Sequence, residues 1–122
     1  MGHEFEELSS KVIAAALDVH KALGPGFVEP IYQKAMEVAL RHRDIPFERQ
    51  KEIHIYFEGE DVGVQRLDLV AGALVILELK AVAALADIYF AQLKSYLKAT
   101  GLHVGLLLNF NAPTLAIKRV VL

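Results

Sequence analysis

The sequence has no cysteine, and this absence excludes three kinds of chemistry at once. Disulfide bridges, thiolate metal sites and cysteine nucleophiles all need that residue. Long apolar runs are also missing, because none reaches the ~18 residues that a membrane span requires. The first ten residues are acidic and lack the basic and apolar parts of a secretory signal. We therefore expect a cytoplasmic protein without a membrane segment.

An excess of charge of one sign is missing too, since the formal net charge is −2. A general nucleic-acid coat protein would be strongly basic, so the charge argues against that class but leaves an enzyme with a local basic rim open. Apolar residues, in contrast, are abundant at 54% of the 122 residues. This content exceeds the usual fraction for a soluble domain. We expect one domain over 1–122, either rich in core or burying a face in an oligomer.

Three segments have the spacing of amphipathic helices. Apolar residues from Leu8 to Leu23 recur every three or four positions, and "GPG" at 24–26 ends this segment. A second segment runs from about Val28 to His42, and a third from about Ala86 to Ala99 with Gly101 at the position of a C-terminal cap. The apolar stripe predicted for the second helix consists of Ile31, Ala35, Val38 and Ala39.

Between these helices the pattern is that of strands. "EIHIYFEGEDVGV", beginning at Glu52, alternates around the turn signal "EGED". Strands are predicted from Val64 to Val70 and from Leu74 to about Val82, joined by "AGA" at 71–73. "HVGLLLNF" is a buried strand, expected to run parallel to a neighbour because a helix precedes it, and "IKRVVL" indicates a last short strand. The order predicts an α/β fold with a mixed sheet flanked by helices.

Ionisable residues interrupt the two apolar strands in "RLDLVAGALVILELK". Glu78 and Lys80 share one face of their strand, since side chains alternate. If 71–73 form a three-residue turn, Asp68 lies opposite Ile76 and diagonal to Glu78, ~7–8 Å away at Cα. Two carboxylates at this spacing can converge on one ion.

Carboxylates this close repel unless a divalent cation, a shared proton or Lys80 neutralises them. Carboxylate oxygens with the backbone carbonyl of Leu79 suit Mg²⁺ or Mn²⁺, and leave positions for water and phosphate oxygens. Lys80 could then orient or help deprotonate the attacking water. The alternative is that Glu-x-Lys is a solvated strand face, although charge within an apolar flank is expensive.

These residues resemble a known catalytic pattern. An Asp followed after about ten residues by Glu-x-Lys at the end of a strand pair is similar to the signature of the PD-(D/E)XK nuclease superfamily. "GFVEPIY", which reads Gly26-x-x-Glu29-x-x-Tyr32, resembles the small GxxExxY proteins grouped with those nucleases. "GPGF", "QLKSYLKATG" and "VGLLLNFN" are also similar to that family, so the resemblance covers roughly residues 8 to 122.

The resemblance implies a restriction-endonuclease-like αβββαβ core and a nuclease that uses Mg²⁺ or Mn²⁺ to hydrolyse nucleic acid, DNA in particular. It matches Asp68 and Glu78 to the metal-binding acids and Lys80 to the signature lysine. Leu67 stands where the signature has proline. The residues that match catalytic positions are Glu29, Asp68, Glu78, Lys80, Gln92 and Tyr96.

Several residues of these motifs also have a purely structural explanation. Glu29 could be a first-turn acid that complements the helix dipole. Tyr32 is expected to be a packing residue with a tethered hydroxyl, and Gly26 a loop residue with positive φ. Gln92 and Tyr96 are four apart and share a helix face, which either borders the site or is helix surface.

Two other functions stay open at the level of the sequence. One is an inactive nuclease-fold module that binds a partner or nucleic acid, and the other is a hydrolase of a small phosphorylated metabolite. A homodimer is a further expectation, because a minimal nuclease domain lacks other means to grip a duplex.

Overall fold

The computed structural model describes residues 3–122, with side chains from Phe5 onwards, so the first two residues of the predicted domain lie outside it. Among the residues described, no helix combines the length and the apolar character needed to cross a membrane. The elements in chain order are α1 (His3–Leu23), α2 (Glu29–His42), β1 (Phe47–Phe57), β2 (Glu60–Ala71), β3 (Val75–Lys80), α3 (Asp87–Thr100), β4 (Val104–Asn109) and β5 (Ala116–Val121).

The five strands form one mixed sheet in the order β1-β2-β3-β4-β5. β3 and β4 are parallel, and the other neighbouring pairs are antiparallel. The predicted α/β fold is therefore confirmed, as are the parallel fourth strand and the short last strand, and β3 lies at the centre of the sheet. The third helix ends as predicted, since Gly101 adopts φ +75° and its N–H bonds to the Leu97 carbonyl.

Helices cover both faces of the sheet. α1 and α2 pack on one face around a core that includes Met36 and Phe110. α3 packs on the other face around a second core that includes Leu93 and Leu97. Because β3 lies between the two cores, its residues from Val75 to Leu79 are all buried, including the one carboxylate among them.

The β1–β2 hairpin is longer than the sequence predicts. β1 begins at Phe47 rather than Glu52, and β2 begins at Glu60 rather than Val64. The added residues of β2, from Glu60 to Gly63, are exposed and lack the apolar pattern of a packed strand, whereas those of β1, from Phe47 to Lys51, pair with the inner end of β2. Cross-strand pairing extends both strands, and no apolar alternation in the sequence marks these added residues.

The predicted register of β2 on β3 is wrong. We expected Asp68 to lie opposite Ile76, but the structure pairs Val70 with Ile76 and Ala71 with Val75. The turn consists of 72–74 instead of 71–73, because Ala71 stays in the strand and its carbonyl accepts the Leu74 N–H at 3.0 Å. The shift of two positions preserves which residues share a face.

Candidate active site

The strand β2 is distorted at Asp68. Leu69 packs in the core under α1 and α2, whereas Leu67 packs in the core under α3. Residues two apart on a regular strand share a face, so the strand twists sharply between them. Gln50, which falls opposite Asp68 in the β1–β2 register, has φ +47°. The β2–β3 ladder ends at Leu69, and a gap between the strands opens at Asp68.

Asp68 and Glu78 fill this gap, and we call them the acid pair. In the observed register Asp68 comes directly opposite Glu78, not diagonal to it as the predicted turn implied. The Asp68 N–H donates to Glu78 Oε2 at 3.0 Å, and the Leu79 N–H donates to Asp68 Oδ2 at 2.8 Å. Each carboxylate thus replaces a carbonyl of the missing ladder. The oxygens Oδ1 of Asp68 and Oε1 of Glu78 have no hydrogen-bond partner among the residues described.

Burial and mutual repulsion make the acid pair hard to ionise. Burial, followed by the negative charge of Asp68, raises the pKa of Glu78 to about 8. Burial also raises the pKa of Asp68, against the opposing effects of the Leu79 N–H and the Lys80 charge. A divalent cation at the two remaining oxygens would offset both the repulsion and the lost hydration.

The donor set fits a hard cation. The N–H and C=O of one strand residue point to the same side, so the Leu79 carbonyl faces the same gap as its N–H. Two carboxylate oxygens and a carbonyl are the ligands that Mg²⁺ and Mn²⁺ prefer. Within residues 3–122, no group of three or more His, Cys, Asp or Glu side chains is arranged to hold a metal ion. The remaining coordination would therefore come from water or substrate oxygens.

Lys80 lies at the end of β3, next to the acid pair. Its positive charge lowers the pKa of both Asp68 and Glu78. Its Nζ lies 4.6 Å from the centre of the Tyr89 ring on α3, within the range of a cation–π contact. The ammonium group thus contacts the aromatic ring and lies close enough to the two carboxylates for its charge to act on them.

The buried Asn109 fixes the chain just after Lys80. Its Oδ1 accepts the Val82 N–H at 3.1 Å, and its Nδ2 donates to the Val82 carbonyl at 2.9 Å. The pair of bonds connects the end of β4 to the segment that follows β3. This explains a polar residue that is 2% exposed at the end of an otherwise apolar strand.

Tyr32 is a packing residue with a tethered hydroxyl, as the sequence predicts. Its ring stacks on Phe110 with centroids 4.8 Å apart. Its hydroxyl donates to the Gly24 carbonyl and accepts the Phe27 N–H at 3.2 Å. Gly26, between these two residues, has φ +114°, the left-handed conformation that favours glycine. Tyr32 therefore fixes the loop that leads into α2.

Glu29 begins α2 and lines the same cavity as Asp68 and Leu79, with a volume of about 370 Å³. Its negative charge raises the pKa of both members of the acid pair. Among the described residues the three carboxylates are not arranged as one metal shell, although Glu29 and Asp68 line the same cavity. Its place in the first turn also complements the helix dipole.

Residues 6–120 match the family model of the PD-(D/E)XK nuclease superfamily. The chain belongs to this superfamily. Its mixed five-stranded sheet flanked by helices is consistent with the restriction-endonuclease-like fold of these nucleases. Neither a curated protein nor a solved structure gives a significant match.

The gap at the acid pair is bordered by α3 as well as by α2. Tyr96 donates a hydrogen bond to Gln65 Oε1 at 3.3 Å. Partial burial, then the negative charges of Glu78 and Asp68, raise the pKa of Tyr96. Gln92 is exposed and lines a second cavity, of about 350 Å³, together with Tyr96 and Gln65. The two residues share a face as predicted, and Tyr96 is close enough to the acid pair to feel its charge.

Polar residues on α2 were missed in the sequence. The predicted apolar stripe of this helix is wrong in part: Ala35 and Ala39 pack against the core, but Ile31 and Val38 are 42% and 41% exposed. The buried face carries Gln33 and Glu37 instead, beside the core residues Tyr32, Met36 and Leu40. Their spacing of four is also that of an ordinary solvent face, so the sequence gives no signal that singles them out.

Gln33 connects α2 to the acid pair. Its Nε2 donates to the backbone carbonyl of Asp68 at 3.0 Å, and its Oε1 accepts the Nε2 of Gln50 at 2.9 Å. These bonds bridge the helix and both strands at the distortion of β2. Gln33 therefore supports the backbone from which Asp68 projects.

Proposed function

We propose that this protein is a divalent-metal-dependent nuclease that hydrolyses phosphodiester bonds of DNA, in the GxxExxY branch of the superfamily. The observation that carries the proposal is the acid pair, in which two buried carboxylates meet where the β2–β3 ladder ends. Superfamily membership supports nuclease-type chemistry, and the motif Gly26-x-x-Glu29-x-x-Tyr32 supports the branch.

The metal would be held by Asp68 Oδ1, Glu78 Oε1 and the Leu79 carbonyl. A bound Mg²⁺ or Mn²⁺ supplies a Lewis acid that polarises the phosphoryl group and makes coordinated water more acidic. Because Asp68 and Glu78 each accept a backbone N–H, their remaining oxygens are fixed before the cation arrives. Such preorganisation lowers the reorganisation that binding requires.

The other predicted residues have roles around this metal. Lys80 orients the attacking water or offsets the charge of the phosphate, while Tyr89 limits the positions of its ammonium group. Glu29 accepts a hydrogen bond from water across the cavity that it shares with Asp68. Gln92 and Tyr96 contact the substrate from α3, where they line the adjoining cavity.

A cleavage assay tests the proposal. A fluorescently labelled DNA duplex is incubated with Mg²⁺ or Mn²⁺ and wild-type protein, Asp68→Ala or Glu78→Ala. We expect cleavage by the wild type and a loss of at least about a hundredfold in each variant, since even second-shell changes cost 10–100-fold. Glu60→Gln, an exposed carboxylate at the hairpin turn, is the control and keeps full activity. Cleavage unchanged in both acid-pair variants contradicts the proposal.

Substrate panels separate the remaining alternatives. Single-stranded DNA, RNA and a small phosphodiester in the same assay distinguish a DNA nuclease from an RNA nuclease or a metabolite hydrolase. Duplex binding without hydrolysis would assign the chain to the inactive module that keeps the fold.

The homodimer is also a proposal, supported by the outer hairpin. Tyr56, Phe57 and Val62 are each at least 60% exposed there. Light scattering after size-exclusion chromatography, with Phe57→Ser as the comparison, tests whether this surface joins two copies.

A further inference from the structure

The positively charged side chain of Arg49 lies beside the acid pair in a fixed orientation. Arg49 on β1 pairs with Leu69 in the register, one position from Asp68. Its Nε donates to Glu37 Oε2 at 3.2 Å. The two side chains differ in exposure, since that of Glu37 is 5% exposed and that of Arg49 is 57% exposed. One edge of the guanidinium is therefore held by a buried carboxylate while the rest faces solvent.

Glu37 is itself fixed in position. The same Oε2 accepts Gln33 Nε2 at 3.3 Å, and Gln33 Nε2 also lies 3.0 Å from the Asp68 carbonyl, which accepts its hydrogen. Arg49 is thus connected to the acid pair through only two side chains. Arg49, Glu37 and Asp68 also line the one cavity of about 370 Å³ described above.

The outer nitrogens of Arg49 are available to a ligand. A guanidinium has five N–H donors, and Nε uses one of them on Glu37. Nη1 and Nη2 have no hydrogen-bond partner among the residues described. Their planar pair of donors matches the oxygens of a phosphate.

Stability alone does not explain this arrangement. An ion pair with an exposed arginine contributes little to the free energy of folding, whereas a carboxylate buried on α2 is expensive. Replacing a buried ion pair as a whole by apolar residues of similar volume is often neutral or stabilising, so stability does not require this pair. The buried carboxylate instead restricts where the guanidinium can point.

We propose that Arg49 is a phosphate-binding residue, positioned by Glu37, that contacts a non-bridging phosphate oxygen of the nucleic-acid substrate on the α2 side of the acid pair. The inference rests on the proposed nuclease function, to which it adds the residue that positions the substrate backbone. Lys34, on the same cavity, supplies a second positive charge at its rim. Together the two cations offset the negative charge that Glu29 and Asp68 present to an incoming phosphate.

Steady-state cleavage of the labelled duplex with Mn²⁺ tests the role of Arg49. We expect Arg49→Ala to raise KM by about tenfold or more, the effect of losing a hydrogen bond to a charged group, with a smaller change in kcat. The slope of log affinity against log salt concentration falls by about one, as for the loss of one phosphate contact. Mn²⁺ affinity, measured by calorimetry, stays within about twofold of wild type.

Three further variants complete the design. Arg49→Gln keeps a donor for Glu37 and serves where Arg49→Ala is too unstable to purify. Glu37→Gln is expected to raise KM less than Arg49→Ala, because the guanidinium remains but loses its charged anchor. Arg43→Ala is the matched control: this arginine pairs with Asp18 at 2.7 Å, at the opposite end of α2, and its loss leaves KM unchanged.

The outcomes separate this inference from the nuclease proposal. KM and salt slope unchanged in Arg49→Gln, with Mn²⁺ binding and cleavage intact, overturn the phosphate contact and leave the nuclease function standing. If the wild type neither cleaves nor binds Mn²⁺, the nuclease proposal fails. Fluorescence anisotropy of the duplex at low salt then decides: binding that weakens in Arg49→Gln but not in Arg43→Ala supports the contact, and equal or absent binding overturns it.

Discussion

The backbone N–H of Asp68 donates a hydrogen bond to the side chain of Glu78 at 3.0 Å, across the point where their two strands separate. Leu79 returns a bond from its own N–H to Asp68, so each carboxylate occupies the place of a ladder carbonyl. The two carboxylates accept hydrogen bonds from the backbone N–H groups of Asp68 and Leu79, and one oxygen of each carboxylate remains directed to the gap. Fold stability and the proposed chemistry therefore depend on the same side chains, and this makes the site testable by both stability and activity.

The metal-free protein should become less stable as the pH rises. The pKa of Glu78 is raised from 4.5 to about 8 by burial and by Asp68, and that of Asp68 is raised too. At these groups the folded state binds protons more tightly than the unfolded state, so the contribution of Glu78 to stability is fully present below about pH 4.5 and is lost as the pH rises through about 8. Glu78 contributes a decrease of up to about 1.4 kcal/mol per pH unit in this window.

Urea unfolding in the presence of EDTA, at several pH values, measures this decrease. Glu78→Gln removes the titrating group and should flatten the profile relative to wild type. A wild-type profile no steeper than that of Glu78→Gln would show that Glu78 does not carry its shifted pKa.

Lys80→Met should reduce kcat by about 10²–10³, the loss typical of one charged group that stabilises a transition state. Mn²⁺ affinity should change much less, because Lys80 is not a ligand.

Removal of the positive charge of Lys80 also raises the pKa of both acids further, so the pH at which activity appears should move upwards. A pH–rate profile measures both effects. Lys94→Met, an exposed lysine on α3, is the control.

Gln33→Met tests the support of Asp68 by α2. The substitution keeps the volume but removes the donor to the Asp68 carbonyl, at 3.0 Å in the structure. We expect a loss of about 1–3 kcal/mol in the free energy of unfolding and a decrease of about tenfold in Mn²⁺ affinity. Denaturant unfolding and calorimetry give the two values. A destabilised variant with unchanged Mn²⁺ affinity would assign Gln33 to folding alone.

Tyr32→Phe distinguishes packing from catalysis at the motif tyrosine. The change removes the hydroxyl that bonds to Gly24 and Phe27 but keeps the ring on Phe110. We expect a loss of about 1–3 kcal/mol in stability and, at a temperature where the variant is folded, kcat within about threefold of wild type. A loss of kcat by a hundredfold in a folded variant would mean that the hydroxyl takes part in the reaction.

The sequence predicts the fold well because the packed elements carry their own patterns. The helices α1 and α3 and the buried strands β3 and β4 contact the core along their length, so their apolar spacing reports their structure. The exposed start of β2, from Glu60 to Gly63, packs against no core, and its extent cannot be read from an apolar pattern.

The site is only partly predictable for a different reason. Asp68, Glu78 and Lys80 stand out because charge interrupts apolar strands, and a register error of two keeps them on one face. Gln33 and Glu37 look like the solvent face of a helix, since nothing local shows that they point at a distorted strand. Arg49 likewise cannot be recognised as a site residue from the sequence, because its partner Glu37 lies on α2.

A crystal soaked in Mn²⁺ gives the most direct measurement of the central claim. Anomalous scattering should show an ion between Asp68 and Glu78 that also touches the Leu79 carbonyl, and the peak should vanish in Glu78→Gln. The account is contradicted if, at saturating Mn²⁺, the anomalous map is empty at the acid pair while the two carboxylates keep their bonds to the backbone.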